Sequence, residues 1–197
     1  NNASPVASGK QPVALIIADV RDDGKPDVVT ANSNGSVSVL INSSPEIGGG
    51  SFGVGQSYTL NIPLMDEFDV LSGFALGDIN NDGVLDALVT GYGSPNSFSS
   101  ARVLLGSENG SFAVGTTIIY QTLSPILYAP SLIDVNIDGK LDFLSAYNLS
   151  LHVRLGDGIG SFGFATSYPV GLQSQASSIR SADLDCDGDP DLVLSQD

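Results

Sequence analysis

The chain of 197 residues sets 22 acidic side chains against 7 basic ones, a formal charge of −15 at pH 7, which excludes polyanionic partners such as nucleic acid or an anionic membrane surface. A single cysteine, Cys186, leaves no internal disulfide, and no apolar run nears the ~20 residues that a membrane-spanning helix needs. With 42% apolar residues and 23 glycines, the composition fits a folded β domain rather than a disordered or membrane-embedded chain.

In chain order, an apolar run at Ala14 to Ala18 leads into an acidic nonapeptide, DVRDDGKPD from Asp19, and apolar character resumes at Val28 to Ala31. Ser36 to Ile41 alternates as a strand does, a Gly50-Ser51-Phe52 turn follows, and Gln56 to Leu60 is a shorter, more polar strand. The same succession then recurs. The second copy has Phe74 to Gly77, DINNDGVLD from Asp78, Ala87 to Thr90, Ala101 to Leu105, the turn Gly110-Ser111-Phe112 and Thr116 to Tyr120. The third has DVNIDGKLD from Asp134, Phe143 to Tyr147, Leu151 to Leu155, the turn Gly160-Ser161-Phe162 and Thr166 to Val170. A fourth opens with DLDCDGDPD from Asp183 and Leu192 to Leu194.

The nonapeptides hold 15 of the 22 acidic residues. Oxygen-bearing side chains fall at loop positions 1, 3, 5 and 9, save for Arg21 at position 3 of the first loop, with Gly always at position 6, where the chain must turn sharply to bring successive oxygens inward. That number of hard oxygen donors suits calcium. An EF-hand is excluded, because position 12 is Thr30, Val89, Ser145 or Leu194 instead of a bidentate Glu, and β-rich runs follow each loop instead of a helix. The last side-chain ligand is therefore the position 9 Asp. Four bound ions, at two charges each, would bring the formal charge to about −7, so stability and calcium are expected to be linked.

The first Asp of each loop recurs at intervals of 59, 56 and 49 residues, a period typical of repeat architectures. Four short strands per repeat predict an all-β fold, a β-propeller of four-stranded antiparallel blades, with about 3.5 to 4 blades in this chain. The whole forms one array rather than two domains, with approximate units at 1–12 (the end of a preceding blade), 13–61, 72–122, 130–171 and 177–197 (the start of a further blade). Pro5-Val6 precedes Asp19 by the same 14 residues that separate Pro169-Val170 from Asp183. Because a propeller closes with four to eight blades, the expectation is that a longer polypeptide or neighbouring subunits complete the assembly.

These units resemble the FG-GAP or VCBS-type repeats that build integrin α-subunit propellers and many secreted microbial propellers. The resemblance is carried by the DxNxDGxxD loops at Asp78 to Asp86 and Asp134 to Asp142, the flanking apolar strands and the Gly-Ser-Phe turn. It implies a loop between the first and second strands of each blade, holding calcium through side chains at positions 1, 3, 5 and 9 and the carbonyl of position 7. By position the second site comprises Asp78, Asn80, Asp82, the Val84 carbonyl and Asp86. The third comprises Asp134, Asn136, Asp138, the Lys140 carbonyl and Asp142, and the fourth Asp183, Asp185, Asp187, the Asp189 carbonyl and Asp191. The first departs from the pattern: Arg21 stands at position 3, leaving Asp19, Asp23, the Lys25 carbonyl and Asp27, with Asp22 as a substitute, so this site is expected to be the weakest of four.

Loops of this kind fill at the ~0.1 to 1 mM calcium found outside cells, and sequons at Asn2, Asn34, Asn42, Asn109 and Asn148 offer glycosylation acceptors; both point to an extracellular or cell-surface protein. The long connection Asn61 to Gly73 is a candidate ligand loop, with Met65 and Phe68 for apolar contact and Asp66, Glu67 and Asp69 for a basic or metal-bridged group. No nucleophile–base set is legible. The one histidine, His152, alternates with Arg154 opposite Leu151, Val153 and Leu155, which predicts an exposed strand residue, and the carboxylates outside the loops single out no catalytic pair. The expected function is therefore a non-catalytic extracellular calcium-binding propeller for adhesion, protein recognition or assembly, binding a protein, a glycan or further copies of itself. The alternative is a carbohydrate-binding propeller attached to a secreted enzyme.

Overall fold

The computed structural model describes residues 11–33, 36–44, 52, 56–59, 70–92, 99–120, 127–147, 149–171, 174 and 176–196, and among them every regular element is a strand. The first sheet is β1 (Pro12–Ala18), β2 (Asp27–Asn32), β3 (Ser36–Leu40) and β4 (Gln56–Thr59). The second is β5 (Val70–Gly77), β6 (Asp86–Tyr92), β7 (Ser99–Gly106) and β8 (Phe112–Tyr120). The third is β9 (Tyr128–Ile133), β10 (Asp142–Tyr147), β11 (Ser150–Arg154) and β12 (Thr166–Pro169), and β13 (Ala176–Ala182) pairs with β14 (Asp191–Gln196) in a fourth, two-stranded sheet. Every sheet is an antiparallel meander in chain order, the form of a propeller blade; no described sheet closes on itself.

Side-chain alternation explains why the blades stack. On β6, Ala87 and Val89 belong to a core shared with Val29, Ala31, Val37 and Val39 of the first sheet, while Leu88 between them belongs to a core shared with Phe143 of the third. A strand covered on both faces reads as a continuous apolar run, which is what Ala87 to Val89 is. A third core joins Leu144, Ala146, Leu151 and Val153 to Ala176 and Ile179 of the fourth sheet. Truncating a fully buried residue such as Leu88 to Ala would cost about 2–5 kcal/mol and would loosen one inter-blade contact rather than the whole array. β1, β5, β9 and β13 neighbour one another in turn and line a cavity of about 540 Å³ with residues 14–16, 74–76, 130–133 and 179–181. They are the innermost strands.

Three expectations change. The tail of the connection before Phe74 is strand: β5 already begins at Val70, with a bulge between Leu71 and Gly73, and Gly73 lies so close that a Cβ would meet Pro130 Cδ at 2.2 Å. Met65, Asp66, Glu67, Phe68 and Asp69 lie outside the described residues. β8 begins at Phe112 rather than Thr116, because Phe112 itself pairs with Gly106. Its counterparts Phe52 and Phe162 make single bridges, to Asn42 and Gly156.

The third change concerns His152, which is 5% exposed rather than a surface residue. Alternation placed it correctly opposite Leu151 and Val153, but that second face also carries Phe143 and Tyr147, which pack into the core shared with the second sheet and not against water. Its Nε2–H donates to the Tyr147 carbonyl at 3.3 Å, Nδ1 accepts from Ser167 Oγ at 2.8 Å, and the ring stacks on Tyr147 with centroids 3.5 Å apart. Burial pushes its pKa below the ordinary 6.5, with the Arg154 charge adding to the fall and the Tyr147 hydrogen bond opposing it. Arg102 occupies the equivalent place on β7, buried, with Nε donating to Thr117 Oγ1 at 3.0 Å. Leu155, expected at the end of β11, lies beyond it and is half exposed.

Candidate metal centre

All four acidic nonapeptides join the first strand of a sheet to the second, and they share one backbone path. Position 6 is left-handed in each, at φ 78° for Gly24, 86° for Gly83, 80° for Gly139 and 94° for Gly188. No atom lies within 4 Å of where a Cβ would stand at any of them, so φ alone, and not crowding, demands glycine. Position 4 is left-handed as well, and there the chain carries side chains: Asp22 (52°), Asn81 (57°), Ile137 (58°) and Cys186 (63°). A β-branched residue in this region is strained. Ile137 tolerates it on an exposed turn.

The two reversals curl each loop around its own carboxylates. The position 1 Asp accepts the N–H of position 5 at 3.1 Å in the first three loops and 3.2 Å in the fourth, and with its other oxygen the N–H of the glycine at 2.6, 2.9, 2.8 and 3.1 Å. Position 5 in turn accepts the N–H of position 7, namely Lys25, Val84, Lys140 and Asp189, at 2.8–3.0 Å. Position 3 accepts the position 5 N–H where it has an oxygen to offer, through Asn80, Asn136 and Asp185. Backbone amides thus hold the side chains of positions 1 and 5 in every loop, and of position 3 in the last three.

Position 9 has a different place. Asp27, Asp86 and Asp142 are fully buried at the base of their loops. Asp86 accepts the Gly106 N–H at 2.7 Å with one oxygen and the Ile79 and Asn80 N–H groups at 2.9 and 3.2 Å with the other. Asp142 does the same with Gly156 and Val135, and Asp27 accepts from Asn42 at 2.7 Å. Each latches its loop to the end of the third strand of the blade. Burial pushes the Asp86 carboxyl above its ordinary pKa of 3.8, the Asp82 charge adds to this, and the backbone donors pull the other way.

The latch partners were missed in the sequence, although a signal was there. Gly106 and Gly156 each stand four residues ahead of a Gly-Ser-Phe turn, and a Cβ on either would strike the carbonyl oxygen of Leu85 or Leu141 at about 2.1–2.2 Å. Asn42 takes this place in the first blade. Its Nδ2 donates to the Pro26 carbonyl and its Oδ1 accepts from Ser44, which ties this sequon into the latch, whereas Asn109 is exposed at a turn with its Oδ1 on the Ser111 N–H. Asn2, Asn34 and Asn148 lie outside the described residues.

The loops differ in charge. In the fourth, one carboxylate oxygen from each of Asp183, Asp185 and Asp187 lies within 4.8 Å of the others, all three exposed. Asp191 sits apart, accepting the Leu184 N–H at 2.9 Å. In the second and third, Asn at position 3 donates from Nδ2 to the position 5 carboxylate, Asn80 to Asp82 at 2.9 Å and Asn136 to Asp138 at 3.3 Å, and Lys140 reaches Asp138 at 3.7 Å. The first carries a cation of its own: Arg21 Nη2 lies 2.7 Å from Asp23, Nε lies 3.5 Å from Asp27, and Nη2 also donates to the Asn42 carbonyl at 3.1 Å. Cys186, at position 4 of the fourth loop, is a free and exposed thiol.

As donor chemistry, an all-oxygen set of carboxylates and amide carbonyls fits a hard divalent ion in the second, third and fourth loops. The first does not fit, because a guanidinium stands among its oxygens. A family model described as FG-GAP-like repeat matches the chain three times, over residues 19–89, 78–145 and 134–194, each match running from one acidic loop past the next. No curated protein matches the chain.

Proposed function

Since the chain belongs to the FG-GAP-like repeat family, and repeats of this kind suggest a propeller-like module for protein–protein interaction, we propose that it is a non-catalytic recognition propeller of the extracellular space. Calcium, bound by the second, third and fourth of its Asp-rich loops, would brace the blades that carry them. The observation that carries this reading is the cluster of Asp183, Asp185 and Asp187, three exposed carboxylates within 4.8 Å that repel one another unless a cation joins them. Bound calcium supplies positive charge at the mouth of the loop. The residues do the rest: positions 1, 3 and 5 offer oxygens already held by backbone amides, and in the second and third loops the position 9 Asp passes the rigidity of the loop to the third strand.

The partner is expected to be a neutral or cationic protein surface, given the charge of −15. A non-catalytic role is supported by His152, whose two ring nitrogens are both engaged inside the blade interface. An extracellular setting is supported by the affinity range of such loops, ~0.1 to 1 mM. The test is thermal unfolding and calorimetric titration of the chain with calcium and with a chelator. Each loop filled at a hundred times its Kd should add about 2.7 kcal/mol of stability, and identical melting curves with no binding heat would end the proposal.

A further inference from the structure

We propose that the Arg21 guanidinium is the resident cation of the first loop, standing where the other loops would hold a metal ion, so that this loop is closed without one. Arg21 occupies position 3, a ligand position, and its Nη2 and Nε reach the carboxylates of positions 5 and 9, Asp23 at 2.7 Å and Asp27 at 3.5 Å. A metal would have to displace it from both. Nη2 also donates to the Asn42 carbonyl at 3.1 Å while the Asn42 N–H donates to Asp27 at 2.7 Å, so the guanidinium joins the loop, the latch carboxylate and the end of the third strand in one network. The stem runs past the neighbouring blade, where a Cβ added to Gly110 would come within 3.3 Å of Arg21 Cγ. A planar guanidinium serves two carboxylates at once, and lysine would not substitute for it.

The consequence is a blade whose stability is insensitive to calcium beside blades whose stability depends on it. The inference rests on the calcium reading of the other loops only for that contrast, and its test is separable. The number of ions bound by the whole chain is counted by calcium titration and by terbium luminescence, for the unmodified protein and for Arg21→Asn, which restores the position 3 amide of the second and third loops. Three ions on the unmodified chain and one more on Arg21→Asn is the expected result. Four on the unmodified chain, or no gain on a folded Arg21→Asn, overturns it. No ion on the unmodified chain would refute the proposed function, yet a site gained by Arg21→Asn would still support a resident cation. If Arg21→Asn is unfolded in chelator and folds when calcium is added, the inference stands; if it folds under neither condition, the count on the unmodified chain decides, three for and four against. In chelator, Arg21→Lys should melt about 2–4 °C lower than the unmodified chain.

Discussion

The first loop and the fourth follow the same backbone path and hold opposite charge arrangements. Both reverse at positions 4 and 6, Asp22 and Gly24 in one, Cys186 and Gly188 in the other, and in both the position 1 Asp accepts the N–H groups of positions 5 and 6. Yet the first loop neutralises its carboxylates internally through Arg21, while the fourth leaves three of them exposed and mutually close. Loop shape is therefore specified by glycine and by side-chain-to-backbone hydrogen bonds, and charge is what sets the two loops apart. The loops differ also at the base, where Asp27 is fully buried and Asp191, in a two-stranded sheet, is only half buried.

The largest effect should come from that base. Asp27→Ala leaves the Asn42 N–H without its acceptor and takes from Arg21 the farther of its two carboxylates, Asp23 remaining at 2.7 Å, a loss of about 2–3 kcal/mol. Asp191→Ala removes one hydrogen bond in an exposed setting and should cost about 1 kcal/mol. Urea unfolding of the two variants measures the difference, and equal losses would show that burial of the latch does not set its strength. Next in size, Gly24→Ala and Gly188→Ala should each cost about 1–2 kcal/mol. The two costs should agree, because neither site has an atom that a Cβ would touch; unequal losses would break the claim of a shared backbone.

The charge contrast gives a smaller effect with a change of sign. Asp185→Asn relieves repulsion in the fourth loop, so in chelator the variant should melt about 1–3 °C higher than the unmodified chain, and in saturating calcium it should melt lower. A shift in the same direction under both conditions would mean that the carboxylates of the fourth loop are not held together by a cation.

Much of this organisation was legible in the chain. The spacing of Asp19, Asp78, Asp134 and Asp183 set the number of repeats, and short apolar runs on either side placed the first two strands of each blade. The latch was not legible, because Asp27, Asp86 and Asp142 look like ligands at position 9, and only the fold brings Asn42, Gly106 and Gly156 back to them from 14 to 20 residues away. His152 was misjudged for a related reason. Alternation along a strand tells one face from the other, and it does not say whether the second face meets water or another blade.

His152 supplies the smallest prediction, and it separates loop chemistry from blade packing as acid is added. Its folded pKa is lowered below 6.5 by burial, so between the folded and unfolded values the unfolded chain binds the extra proton. Its contribution to stability is complete above pH 6.5 and is lost as pH falls through the folded pKa. The difference in melting temperature between the unmodified chain and His152→Gln, at constant calcium, should therefore shrink by about 1–2 °C as pH falls from 7 to 5. A His152→Gln profile parallel to that of the unmodified chain from pH 7 to 5 would remove histidine from the account and leave the whole acid response to the loops.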